Sequence, residues 1–366
     1  MGSERLPRSK TYYALHRRQS MTSSVHTTAN ETGNELASEP TNQQVWNCYV
    51  PPVHFGPGTV FKASELLAEQ NLQNILVVTD PGIVAQPFFA ELTDSLQQQG
   101  LTFSVFSAVR GNPTSVNVSD CTSAFRQQNC DAIVTIGGGS AIDVAKAVSL
   151  TANNDHSLWD FCFFEDPDNL PAVTGSHFFV PLLIIPITAG TGSELSGSSC
   201  VITDVDTHRK RVPYHPDHFP FAVIDDPQLL AGLPQNLTAW TGMDALTHAI
   251  EAYSAPSYHP MSDGIALESI RLCARWLEKS VNNGSDLQAR SEMMAASSIA
   301  AVAFSAKGLG TVHSLAHAIG ALFDTHHGLA NAVLLPYVLA FNRAAIEEKL
   351  TTIASLLNLP KKMALQ

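Results

Sequence analysis

The chain is short of positive charge. Its 366 residues carry 21 Lys and Arg against 33 Asp and Glu, a formal net charge of −12. Binding a phosphate backbone needs a basic face, so nucleic acid is excluded as a main partner. Cysteine is sparse and scattered: Cys48, Cys121, Cys130, Cys162, Cys200 and Cys273 include no C-x-x-C pair. That pattern argues against a disulfide framework or a thiolate zinc site and points to a reducing compartment, so a cytoplasmic location is expected. Long hydrophobic runs are also missing. The longest, "FFVPLLIIPIT" (178–188), is interrupted by two prolines and reads as a buried strand, and no membrane span is expected. The G-x-G-x-x-G fingerprint of common dinucleotide folds is absent as well.

What is there suits a soluble enzyme of two domains, with 45% hydrophobic and 15% charged residues. Residues 1–45 differ in texture. "MTSSVHTTANETGNELASEPTNQQ" is polar with little to bury and reads as a disordered extension. The basic "RLPRSK" and "LHRRQS" before it partly fit a transit peptide, without an apolar core for secretion.

From residue 46 to about 230 the pattern is α/β. A Gly-Pro-Gly turn leads into a helix, and "NILVVTD" (74–80), "LTFSVFSAV" (101–109) and "DAIVTI" (131–136) read as strands separated by helical stretches. "PLLIIPIT" and "FAVIDD" continue the strand-like material. Such alternation implies βαβ units and a parallel sheet. From 231 to 366 the chain is rich in Ala and Leu at helical spacing, implying an all-helical second domain.

Three loops of the first part could meet a ligand. In "IGGGSAID" a strand ends, three glycines follow, and Ser140 opens a helix. The glycines either make a tight strand-to-helix turn or let backbone N–H groups approach a pyrophosphate. Asp80 closes a strand just before Pro81. It either caps that turn or accepts hydrogen bonds from an adenosine ribose. "PITAGTGSELS" (186–196) is either a solvated loop or a cradle for phosphate or carboxamide.

The second part carries a histidine cluster. Four of the chain's 14 histidines fall within "HSLAHAIGALFDTHH" (313–327). His313 and His317 are four apart, as are Asp244 and His248 in "GMDALTHAIEAY", so each pair shares a helix face. With His327 they make five polar groups in an apolar background, where each buried polar atom needs a partner. A carboxylate with imidazoles suits Fe²⁺ or Zn²⁺.

These stretches, with "AVIDDPQLLAGLP" and "HHGLANAVLLP", follow in order from about residue 50 to 342. In that order the chain resembles the iron-containing (group III) alcohol dehydrogenase family. The resemblance implies an N-terminal α/β NAD-binding domain with a parallel sheet (46–230) and an all-α C-terminal metal-binding domain (231–366). It implies metal ligands Asp244, His248, His313 and His327, with His317 as the catalytic group beside the nicotinamide. For NAD it implies Asp80, Asn112, Gly138, Gly139, Ser140, Thr188, Thr191 and Lys210. It further implies a small alcohol or aldehyde substrate, hydride transfer assisted by Fe²⁺, Zn²⁺ or another divalent ion, and a homodimer.

Three departures accompany the resemblance. Ile187 stands where the family carries a threonine, which removes one hydroxyl from the cofactor loop. "THHG" replaces "TPHG", so His326 competes with His327 as a ligand. The chain is also expected to stop short of the family's last helices and to leave an apolar face on 234–360 uncovered. The competing readings are a dehydroquinate-synthase-like lyase using NAD and a metal, and a non-catalytic truncated member.

Overall fold

Strand β2 (Asn74–Val78) is buried along nearly its whole length, and β4 (Ala132–Gly137) and β5 (Leu182–Pro186) are buried throughout. Unbroken apolar strands of this kind belong in a parallel sheet covered on both faces. The computed structural model, which describes residues 46, 48–163 and 165–359, places them in the middle of one. The expected disordered extension, 1–45, lies outside the described residues.

Among the described residues, contacts set Trp46 with Pro256–Tyr258 in one unit and residues 48–255 with 259–359 in another. In the first, the rings of Trp46 and Tyr258 lie 5.7 Å apart. The second holds the sheet and the helices described below.

In chain order the elements up to the end of the sheet are β1 (Val53–Phe55), α1 (Lys62–Glu69), β2, α2 (Pro81–Val84), α3 (Pro87–Gln98), β3 (Thr102–Phe106), α4 (Ser115–Gln127), β4, α5 (Gly139–Thr151), β5, β6 (Ile202–Asp204), β7 (Arg209–Arg211) and β8 (Ala222–Asp225). Six strands pair in the order β1-β8-β5-β4-β2-β3, all parallel. Period-2 alternation splits the core in two. Leu76, Val78, Ile133 and Ile184 pack with Phe125 of α4 and Ile142 of α5. Ile75, Val77, Val134 and Ile185 pack on the other face with Leu67 of α1 and Leu92 and Leu96 of α3. The chain leaves β2 for β3 on one side and returns to β4 on the other. The carboxyl ends of β2 and β4 therefore flank a topological switch point, the usual binding crevice of such sheets.

Two elements escape the sequence reading. β1 is a three-residue edge strand, and β6 and β7 form a separate antiparallel hairpin. "RKR" on β7 has no apolar alternation to announce it.

Five helices follow: α6 (Gln235–Ser254), α7 (Pro260–Asn282), α8 (Leu287–Lys307), α9 (Thr311–Phe323) and α10 (His327–Leu356). Some of their ends are capped locally. Asp286 accepts from Ala289 N at the start of α8, and Gly308 (φ 85°) and Asp324 (φ 52°) end α8 and α9. Arg290 is buried but paired, donating to Gly284 O, Thr238 Oγ1 and Leu233 O, which ties the starts of α8 and α6 together.

α10, with a mean hydropathy of 1.4 over an 18-residue window, is long and apolar enough to cross a membrane by length and composition alone, a test that core helices of globular proteins also pass. Its buried face lines the site described next, and Val333, Tyr337 and Phe341 are exposed.

Candidate metal centre and dinucleotide loops

Asp244 and His248 occupy successive turns of α6, and His313 lies in the first turn of α9. His327 begins α10. α10 reaches α6 only because residue 328 is glycine: a Cβ there would lie 2.2 Å from Trp240 O. That close crossing carries the His327 ring to Asp244.

The four side chains converge, with one ligand atom from each all within 4.8 Å of one another. His313 Nε2 and His327 Nε2 lie 3.6 and 3.5 Å from Asp244 Oδ1. Tetrahedral coordination with bonds of 2.0–2.2 Å puts neighbouring ligand atoms about 3.4 Å apart. The donor set is spaced for a divalent ion.

The electrostatics suit a cation at Asp244, His248 and His327, whereas His313 is held as an imidazolium and would have to give up its Nε2 proton to an ion. Burial would raise the Asp244 carboxyl, but the three imidazoles outweigh it and hold the group well below the usual carboxylate range. Burial pushes His248 down to about 3 and His327 down to about 4, so both rings are neutral at pH 7 with a lone pair to offer. For His313, burial is overcome by its hydrogen bonds to Asp244 and Glu251, which push it up to about 9.

The ring Nδ1–H of His248 donates to Gly190 O at 3.2 Å, which turns Nε2 into the cluster. His317 lies beside the group, its ring 5.1 Å from that of His327. Burial, His327 and Lys210 hold it well below the imidazole range. His326 turns away, its ring 4.9 Å from Trp240.

Two polar residues went unnoticed in the sequence. Glu251, one turn beyond His248, meets His313 Nδ1 at 2.5 Å. Asn331, one turn beyond His327, donates from Nδ2 to Asp244 Oδ1 at 2.6 Å and lies 3.1 Å from Nε2 of both His313 and His327. Their only signal was a polar residue at helical spacing from a histidine on an apolar face.

The expected cofactor residues fall in three places. Gly138 caps α5 without any side-chain cap, and a Cβ on Gly139 would lie 2.6 Å from Thr191 Cγ2. Gly138, Gly139, Ser140, Thr188 and Thr191 thus share one junction at the end of β4. Ile187 instead packs into the apolar cluster beneath the sheet. Asp80 uses Oδ1 to cap α2, accepting from Gly82 N and Ile83 N at 2.9 and 3.2 Å. Lys210 Nζ donates to Asn112 Oδ1 at 2.7 Å, and Asn112 Nδ2 donates to Asp324 Oδ1 at 2.6 Å. This chain links the β7 hairpin to the end of α9.

A parallel sheet with a crevice at its switch point, beside a carboxylate–imidazole metal cluster on helices, is the architecture of a metal-dependent dehydrogenase. Residues 51–227 match the iron-containing alcohol dehydrogenase family and residues 238–365 match its C-terminal part; the chain belongs to that family. It is 39% identical over 318 residues to a 1,3-propanediol dehydrogenase of Klebsiella pneumoniae, covering 86% of this chain and 80% of the relative. It is 37% identical over 313 residues to an NAD-dependent methanol dehydrogenase of Bacillus methanolicus, covering 85% and 80%. The crystal structure of a 1,3-propanediol oxidoreductase superimposes with a TM-score of 0.81 at 37% identity, covering 87% of this chain and 81% of that one.

Proposed function

We propose that the protein is an NAD-dependent enzyme that moves a hydride between a small primary alcohol and its aldehyde. The observation that carries this reading is the convergence of Asp244, His248, His313 and His327 close to the glycine–threonine loops. In this reading residues 46–230 hold the dinucleotide and 231–366 hold the ion, preferably Fe²⁺, with Zn²⁺ also suited to the donor set. When bound, the cation would supply Lewis acidity to the substrate oxygen, and the dinucleotide would accept or return the hydride.

The chain's own groups do the rest. The uncapped N-terminus of α5 would offer Gly139 and Ser140 N–H groups to a pyrophosphate, and Thr188 and Thr191, packed against the same glycines, would supply hydroxyls. Asp80 spends one oxygen on its cap, and its carboxylate suits a ribose hydroxyl. Lys210 and Asn112, already paired, would flank the cofactor from the side of α9. His317, its ring 5.1 Å from that of His327, would stand beside the substrate hydroxyl as the relay for its proton, in a setting that keeps the imidazole neutral and weakly basic while no substrate is bound. A cytoplasmic homodimer completes the reading. The exposed rings of Phe323, Tyr337 and Phe341 supply apolar surface for a second copy.

The test is a panel of alcohols and aldehydes with NAD⁺ and NADP⁺, run on protein reconstituted with Fe²⁺ or Zn²⁺, with sedimentation to read the oligomer. Steady NADH formation from a simple alcohol supports the proposal. Turnover of a sugar phosphate without net NADH would replace it with a lyase.

A further inference from the structure

Glu251 does not belong to the expected ligand set, yet it is buried beside it, with its side chain 6% exposed. It sits on α6 three residues after His248 and seven after Asp244, on the same helix face. Each carboxylate oxygen has its own donor: Oε2 lies 2.5 Å from His313 Nδ1, and Oε1 accepts from Val312 N at 2.7 Å. The pocket is shaped to admit the carboxylate, since a Cβ on Gly310 would lie 2.6 Å from Oε1. The start of α9 also favours a negative charge there.

We propose that Glu251 is a positioning residue of the metal centre: it fixes the proton of His313 on Nδ1 and thereby aims Nε2 at Asp244 and the ion. The inference rests on the metal-centre reading above. Two arguments support it. A carboxylate is a stronger acceptor than a backbone carbonyl, so His313 becomes a stronger ligand than His248, whose Nδ1 meets only Gly190 O. Charge also balances. Asp244 alone leaves a buried dication half-neutralised, whereas Asp244 with Glu251 neutralises it.

Glu251→Gln separates positioning from simple support of the fold. A glutamine presents one acceptor and one donor to two donors, so either His313 or Val312 loses its partner, and the charge is gone. Zn²⁺ affinity is measured on the full chain by competition with a chromophoric chelator, alongside thermal melts of metal-free protein. The expected result is a 10- to 100-fold loss of Zn²⁺ affinity in Glu251→Gln, with Glu251→Asp recovering part of it. A drop in melting temperature shared by metal-free and loaded protein, with unchanged affinity, overturns the proposal in favour of a cap on α9.

A second readout needs no variant. In Zn²⁺-loaded wild type with ¹⁵N-labelled histidine, His313 should keep a proton on Nδ1 and bind through Nε2. Binding through Nδ1 overturns the proposal even if Glu251→Gln does not fold. If the wild type holds no stoichiometric Zn²⁺, the metal-centre reading fails first and takes this one with it.

Discussion

The ring of His248 donates from Nδ1 to the carbonyl of Gly190 at 3.2 Å. One side of that contact is a candidate metal ligand. The other is the loop whose Thr191 lies against Gly139. The loop that would hold the dinucleotide therefore also sets the tautomer of a ligand, and a disturbance on one side should be felt on the other.

Removing a ligand should empty the centre. His248→Ala leaves Asp244 with two imidazoles and should abolish stoichiometric retention of metal after purification, as measured by elemental analysis. Full occupancy in that variant would show that His248 is not a ligand.

Asp80 should set the preference for NAD over NADP. A ribose 2′-phosphate would bring like charge to the carboxylate, a repulsion of order 4 kcal/mol at about 4 Å and an effective dielectric of about 20, before screening. A third of that is about tenfold in binding. Asp80→Gly should narrow the ratio of kcat/KM for the two cofactors, and because glycine is itself tolerated as a cap, losing the Asp80 cap on α2 should cost only about 0.3 kcal/mol. A stability loss with an unchanged ratio would leave Asp80 with the cap alone.

Gly139→Ala tests the junction. The new methyl would lie 2.6 Å from Thr191 Cγ2, so the loop must move. KM for NAD should rise, by up to about 100-fold if the loop moves by about 1 Å, and His248 should feel the shift as weaker metal retention. Unchanged KM would mean that the dinucleotide binds elsewhere.

His218 should shape the acid limb of stability. Its imidazole is buried, with Nε2 2.6 Å from Ser149 Oγ. Burial, then Lys146 and His215, push it down to about 3. The folded pKa lies below the unfolded value of about 6.5, so the unfolded chain binds the proton first. The stability that His218 contributes is complete above about pH 6.5 and is lost as pH falls toward 3. Between about pH 7 and 5 this one ring should remove about 2 kcal/mol. Urea unfolding of wild type and His218→Gln at both pH values checks this, and equal pH slopes would refute it.

Periodicity made the main elements legible. The apolar runs at 74–78 and 132–137 marked central strands, and four-residue spacing put Asp244 with His248, and His313 with His317, on shared helix faces. Spacing could not choose between His326 and His327. Which ring crosses to α6 depends on the break after Asp324 and on the contact at Gly328, both tertiary facts. Glu251 and Asn331 stayed hidden for a related reason. A single polar residue in an apolar helix has no meaning until its partner on another helix is known. β1 and the β6–β7 hairpin, at three residues per strand, are too short to show a period.

The sheet also sets an order of events during synthesis. β1 pairs with β8 through Val53 and Val223, two residues 223 − 53 = 170 positions apart. The strand made first must wait for the strand made last. At about 5–20 residues per second that wait is roughly 10–30 s. Until then β1 has no edge to join, and the half-built sheet keeps β5 open on the side where β8 will lie. A nascent chain of this design is most vulnerable to mispairing just before residue 225 leaves the ribosome, and that is when a chaperone would have most to protect.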